Sequence, residues 1–142
     1  MHCSKKGCCC DEISGLAHIG VVVKDIEKSK EFYTSVLCFE CYFESDLDND
    51  DGVVKVAFVR SGNCVIELIE FPTDENRSAN GVIAHIALNV TNIEIVQACL
   101  EKDGIEFETE KPVHLPMIFD NGVKYINFKG PDGEVIELNE TL

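Results

Sequence analysis

Short apolar runs rich in β-branched residues recur along the chain, each closed by a polar or glycine-containing cluster. Such runs predict strands, here over 16–23, 39–44, 53–59, 64–71, 82–90, 105–109, 123–128 and 134–139. Two segments follow a helical period instead. After Asp25, a residue suited to capping, apolar side chains at Ile26, Phe32, Tyr33, Val36 and Leu37 fall on one helical face. After Asn92, a second capped helix is expected to reach about Lys102 and to end at Gly104. Turns are predicted at 46–52, 61–63 and 130–133, and a longer loop carries Pro112, His114 and Pro116.

The pattern repeats. Ala17-His18-Ile19, followed by Val-Lys-Asp-Ile-Glu, aligns with Ala84-His85-Ile86, followed by Val-Thr-Asn-Ile-Glu, at an offset of 67 residues (85 − 18). Val65-Ile66-Glu67-Leu68-Ile69-Glu70 aligns with Val135-Ile136-Glu137-Leu138-Asn139-Glu140 at an offset of 70 (137 − 67). Two copies of one β-α-β-β-β module are therefore expected: module one at 14–72, a linker at 73–81 and module two at 82–142, together forming one domain over 14–142. Residues 1–13 are read as a cysteine-rich tail. A module of about 60 residues with an open sheet is too small to stand alone.

Composition narrows the function classes. The net charge of −14 disfavours nucleic acid and anionic membranes as partners. No apolar run approaches the roughly 18 residues of a membrane span, and the polar beginning resembles no secretory signal. A cytoplasmic protein is expected, and its eight cysteines are then read as reduced thiols. Cys64 and Cys99 sit in periodic segments as small hydrophobes. Cys38 and Cys41 form a C-x-x-C that straddles a helix end and a strand start, a poor context for a redox pair. His2, Cys3, Cys8, Cys9 and Cys10 crowd the tail without a second pair at zinc-site spacing. The acidic run at 46–51 lacks the glycine and distal carboxylate of a calcium loop and reads as a solvated hairpin turn.

The repeat also carries chemistry. Alternate strand residues share a face, so His18 lies with Leu16, Gly20 and Val22, and Glu67 lies with Val65 and Ile69. His85 and Glu137 occupy the same places in the second copy. A strand histidine taken alone is usually a hydrogen-bonded core residue, and a strand glutamate can sit on an edge. A histidine and a carboxylate in apolar strands, each present twice at equivalent positions, are costly to bury unpartnered. They point to a divalent metal held by His18, Glu67, His85 and Glu137, a donor set suited to Zn²⁺, Ni²⁺, Co²⁺, Fe²⁺ or Mn²⁺.

These residues carry a resemblance. His18 to Tyr33, His-Ile-Gly-Val-Val-Val-Lys-Asp-Ile-Glu-Lys-Ser-Lys-Glu-Phe-Tyr, resembles the opening of vicinal-oxygen-chelate proteins, and the stretch at 130–138, Gly-Pro-Asp-Gly-Glu-Val-Ile-Glu-Leu, resembles their closing motif. That superfamily includes glyoxalase I, methylmalonyl-CoA epimerase, extradiol dioxygenases, and fosfomycin and bleomycin resistance proteins. The resemblance implies an α+β fold whose two tandem β-α-β-β-β modules form curved sheets around a metal cleft. His-Glu-His-Glu ligation is most like bacterial glyoxalase I, or lactoylglutathione lyase. The implied function is a metal-dependent lyase or isomerase, using Ni or Zn before Co, Mn or Fe. It would move a proton through a metal-chelated enediolate on a 2-oxoaldehyde–thiol adduct or related small molecule. Glu137 is then the expected catalytic base, with Glu67 a ligand or the group serving the opposite face, and a homodimer is expected. The alternative is a methylmalonyl-CoA epimerase-like enzyme or a non-catalytic binding or resistance protein. Glutathione-using glyoxalases carry an arginine in the first strand and an asparagine after the first ligating glutamate. Val22 and Phe71 stand there in this chain, which argues for a different thiol or substrate.

Overall fold

The structure is a computed structural model and describes residues 12–73, 81–130, 133 and 135–142. The tail cluster of His2, Cys3 and Cys8 to Cys10, and most of the expected linker, lie outside the described residues. The elements follow the β-α-β-β-β order twice, and the chain is α+β. The first copy has β1 (Ile13–Val22), α1 (Ile26–Glu31), β2 (Glu40–Asn49), β3 (Gly52–Ser61) and β4 (Cys64–Glu70). The second has β5 (Ile83–Val90), α2 (Ile93–Lys102), β6 (Val113–Leu115), β7 (Val123–Lys129) and β8 (Val135–Thr141). Among the described residues no helix is long and apolar enough to cross a membrane.

The chain divides into two compact units. One is His18–His85; the other joins the described part of Met1–Ala17 to Ile86–Leu142. In the first unit the strands run β2-β3-β4-β1, with β1 parallel to β4 and the other pairs antiparallel. Its core packs Ile26 of α1 on Ala57, Val59 and Leu68, with Ile66, Tyr33 and Phe39 around them. In the second unit the order is β5-β8-β7-β6, with β5 parallel to β8. There Ile93 and Val96 of α2 pack on Val90, Ile126 and Leu138. In both units the residues flanking the predicted ligand positions, Leu68 and Leu138, serve the helix-facing side, as the strand alternation requires.

The helices show how the second glutamate of each repeat is used. Asp25 caps α1, its side chain accepting from the Lys28 N–H at 3.2 Å, while Glu70 accepts from the Ile26 N–H at 3.0 Å. Asn92, expected to cap α2 with its side chain, makes no such bond and takes the left-handed conformation at φ 55°. The cap is supplied by Glu140, which accepts from the N–H groups of Asn92 at 2.8 Å and Ile93 at 3.3 Å. Glu70 and Glu140 thus satisfy orphan donors at equivalent helix starts. Gly104, at φ 91°, ends α2 as expected.

Three local expectations are corrected. The first helix is shorter than its apolar spacing suggested; it passes at Phe32–Val36 into a π-helical turn, leaving Phe32, Val36 and Leu37 exposed. The polar stretch at 46–52 is mostly strand. β2 continues to Asn49, pairing Asp46 with Lys55 and Leu47 with Val54, and only Asp50 and Asp51 remain for the turn. Alternating acids suit an edge strand with one solvated face. The strand expected at 105–109 is a single bridge, Phe107 to Phe128, beside which the Glu108 N–H donates to the Asn127 carbonyl at 2.9 Å. The edge strand forms instead at Val113–Leu115, inside the expected loop and bounded by Pro112 and Pro116.

Candidate metal centre

The first unit brings three of the four predicted ligands together. His18, on β1, is 4% exposed. Its Nε2 lies 2.8 Å from Glu67 Oε2 of β4 and 2.9 Å from His85 Nε2 of β5; His85 Nε2 lies 3.7 Å from the same Glu67 oxygen. Metal–ligand bonds of about 2.1 Å place neighbouring donors about 3.0–3.4 Å apart in octahedral or tetrahedral geometry. The three separations bracket that range. Which ring nitrogens donate within the trio depends on the tautomers of His18 and His85. Three lone pairs from two imidazoles and a carboxylate fit a divalent cation.

Local sequence explains the placement. β1 and β4 pair in parallel with Gly20 opposite Glu67, two residues beyond His18. A Cβ at Gly20 would lie 2.3 Å from the nearest atom of the His85 ring, so this glycine is the space the imidazole occupies. Sequence reasoning put Gly20 on the right face and missed this role. The available signal was the repeat itself, which puts small Ala87 at the equivalent place, fully buried and opposite Glu137.

The surroundings are aromatic. The His18 ring meets Phe58 edge-on at 5.4 Å and His85 at 5.0 Å. Phe58 lies directly opposite Glu67 on β3. A bulge between Cys41 and Phe43 brings Tyr42 and Phe43 both within 6.3 Å of the Phe58 ring. Arg60 stacks 4.1 Å above the Tyr42 ring. Burial alone would push the Glu67 carboxyl up. Hydrogen bonds from His18 and His85, with their charge interactions, outweigh it and hold the group ionised, down to about 2. Burial raises the Tyr42 hydroxyl, against the opposing charge of Arg60, so it stays protonated.

Glu137 lies in the second unit. It is 7% exposed, opposite Asn127 on β7 and Ala87 on β5, and its Oε1 accepts from Asn139 Nδ2 at 3.1 Å. Among the described residues the other sequence candidates give no centre. Burial, then the charge of Glu44, push the Cys41 thiol up, which opposes thiolate chemistry. His114 is exposed on β6 opposite Lys124.

The comparisons agree with the fold. A family model described as the glyoxalase/bleomycin resistance protein/dioxygenase superfamily matches residues 15–138. A probable lactoylglutathione lyase of Synechocystis sp. is 35% identical over 132 residues, which are 89% of this chain and 95% of that protein. The uncharacterized protein YwbC of Bacillus subtilis is 34% identical over 123 residues, 84% of this chain and 92% of that one. The solved structure of methylmalonyl-CoA epimerase from Mycobacterium tuberculosis superposes with a TM-score of 0.77 at 19% identity, covering 100% of this chain and 93% of its own; a likeness at that identity concerns the fold alone. With the repeated module observed and the match running through both copies, the chain belongs to the glyoxalase/bleomycin resistance protein/dioxygenase superfamily.

Proposed function

We propose that this chain is a divalent-metal-dependent lyase or isomerase of the glyoxalase I type, acting on a 2-oxoaldehyde–thiol adduct or a related small molecule with neighbouring oxygens. The observation that carries the reading is the convergence of His18 Nε2, Glu67 Oε2 and His85 Nε2. Glu137 is proposed as the fourth ligand from its place in the repeat: the same strand position as Glu67, the same face, and a small residue opposite on the parallel neighbour. The Synechocystis relative's name supports the same reaction class.

When bound, the metal would polarise the substrate's neighbouring oxygens and ease loss of the proton from the adjacent carbon. The Glu137 carboxylate takes that proton and returns it to the neighbouring carbon. His18 and His85 serve as neutral ligands, and the ionised Glu67 balances the cation's charge. The Phe58 ring, 5% exposed, keeps water from the His18 side. Val22 is buried and Phe71 half-buried, and neither side chain can hydrogen-bond a glutathione carboxylate. A thiol other than glutathione is therefore proposed, and the assembly is proposed to be a homodimer.

Metal analysis of the purified protein tests the reading. The wild type should carry roughly one Zn²⁺ or Ni²⁺ per chain after reconstitution. His18→Ala and His85→Ala should each lose most of it with an unchanged circular dichroism spectrum. No metal in the reconstituted wild type, or full metal content in both variants, would rule the reading out.

A further inference from the structure

The strands of the first unit carry two lysine or arginine side chains, Lys55 and Arg60, both on β3. Five residues apart on an unbroken ladder, they point to opposite faces. Lys55 lies on the helix side with Ala57 and Val59; its Nζ is 3.9 Å from Glu70 Oε2, whose other oxygen caps α1. Arg60 shares the opposite face with Phe58, two residues before it, whose ring meets His18. It stands directly opposite Val65 on β4, so Glu67 is its diagonal neighbour, about 7–8 Å away. The guanidinium is held on two sides. Its Nε donates to Glu40 Oε2 at 3.1 Å, from the residue opposite on β2, and its Cζ sits 4.1 Å over the Tyr42 ring. Tyr42 is the residue that the bulge between Cys41 and Phe43 adds to this face, and its ring also meets Phe58 at 6.2 Å. Ring contacts therefore run from His18 through Phe58 and Tyr42 to a fixed cation.

We propose that Arg60 is a specificity-determining residue that binds a carboxylate of the substrate, which makes the substrate an acidic one. The proposal rests on the metal-dependent reading above and adds the group that reads the substrate beyond its chelating oxygens. A half-exposed ion pair contributes little to folding by itself, and a bulge gives up ladder pairing. Together they do what anion capture requires. Glu40 takes the Nε donor, Tyr42 fixes the plane, and the two terminal nitrogens present a planar fork that matches a carboxylate. A side chain already held in place loses less freedom on binding. The chain's net charge of −14 repels an anion, so an acidic substrate needs a fixed cation near the centre. Val22 and Phe71 offer none. The diagonal spacing from Glu67 suits a carboxylate a few bonds from the chelated oxygens. Either the thiol arm or the acyl arm of such an adduct can bring it, and the chemistry at Arg60 is the same.

The test uses the full chain reconstituted with Zn²⁺, with metal content and circular dichroism read on every sample. Stable 2-hydroxyacyl thioesters serve as probes in two pairs, titrated by calorimetry. Lactoyl thioesters of N-acetylcysteine and of N-acetylcysteine amide set a carboxylate against an amide on the thiol arm. The para-carboxymandeloyl and para-carbamoylmandeloyl thioesters of N-acetylcysteamine do the same on the acyl arm. In the wild type, one pair should show the acid bound about tenfold more tightly than its amide, and that pair names the arm. Tenfold is the low end for hydrogen bonds to a charged group, because the Arg60 side chain is 47% exposed. Arg60→Met keeps an unbranched stem over Tyr42 and should bring the ratio to about one, with metal content and circular dichroism unchanged. Arg60→Lys keeps the charge without the fork and should fall between. Equal affinities within both pairs in the metal-loaded wild type, no detectable binding of any probe, or a ratio that survives Arg60→Met overturns the inference while the metal reading stands. If the reconstituted wild type holds no metal, the functional reading fails and this inference falls with it.

Discussion

Gly20→Ala is the smallest change that tests the geometry of the centre. Its methyl carbon would lie 2.3 Å from Cε1, 2.4 Å from Nδ1 and 2.8 Å from Nε2 of His85. Carbon atoms settle at about 3.5–4.0 Å, so the imidazole must retreat by about 1 Å or more. The backbone need not follow. Alanine suits a strand interior better than glycine by roughly 0.5–1 kcal/mol, which offsets part of an overpacking cost of about 1–3 kcal/mol. The fold should therefore survive with a modest change in Tm. The ligand set should not. His85 Nε2 starts 2.9 Å from His18 Nε2 and 3.7 Å from Glu67 Oε2, and a further retreat of about 1 Å takes it out of reach of a bond of about 2.1 Å. Disturbing a group that merely orients a ligand costs about 10–100-fold in metal affinity, so displacing a ligand should cost about 100-fold or more. The assay is a competition titration of Zn²⁺ or Ni²⁺ against a chromophoric chelator, with circular dichroism and thermal melting on the same samples. A folded Gly20→Ala protein with wild-type affinity would refute the assignment of His85 as a ligand.

Glu137→Gln keeps a coordinating oxygen and nearly the same volume, so metal should be largely retained while turnover drops by about 10²-fold or more; equal activity would remove Glu137 from the mechanism. Efficient turnover of the glutathione adduct by the wild type would overturn the inference drawn from Val22 and Phe71. Glu140→Ala strips two N–H groups at the start of α2 of their acceptor and should lower stability by about 1–2 kcal/mol, read as a lower Tm with metal content unchanged. Sedimentation should show a species twice the mass of the 15.8 kDa chain, and a monomer alone at micromolar concentration would count against the dimer.

The tandem module and the four proposed ligands were legible before any coordinates because both rest on local periods. A strand's alternation puts His18 and Glu67 on the face opposite Leu68, and the repeat copies that choice to His85 and Glu137. The Asp25 cap and the Gly104 stop were legible for the same reason, each acting within a few residues of itself. What the sequence left open depends on partners far along the chain. Gly20 matters because His85, 65 residues later (85 − 20), fills its missing side chain. Glu140 caps α2 because β8 ends beside that helix, which overrode the nearer candidate Asn92. The edge strand formed at Val113–Leu115, which pairs with β7 over three residues, whereas 105–109 keeps one bridge to that strand; both pairings are long-range contacts that apolar content does not encode. The repeat made Glu67 and Glu137 look interchangeable. Cross-strand pairing set a phenyl ring against one and an amide against the other, and only folding brings those neighbours together.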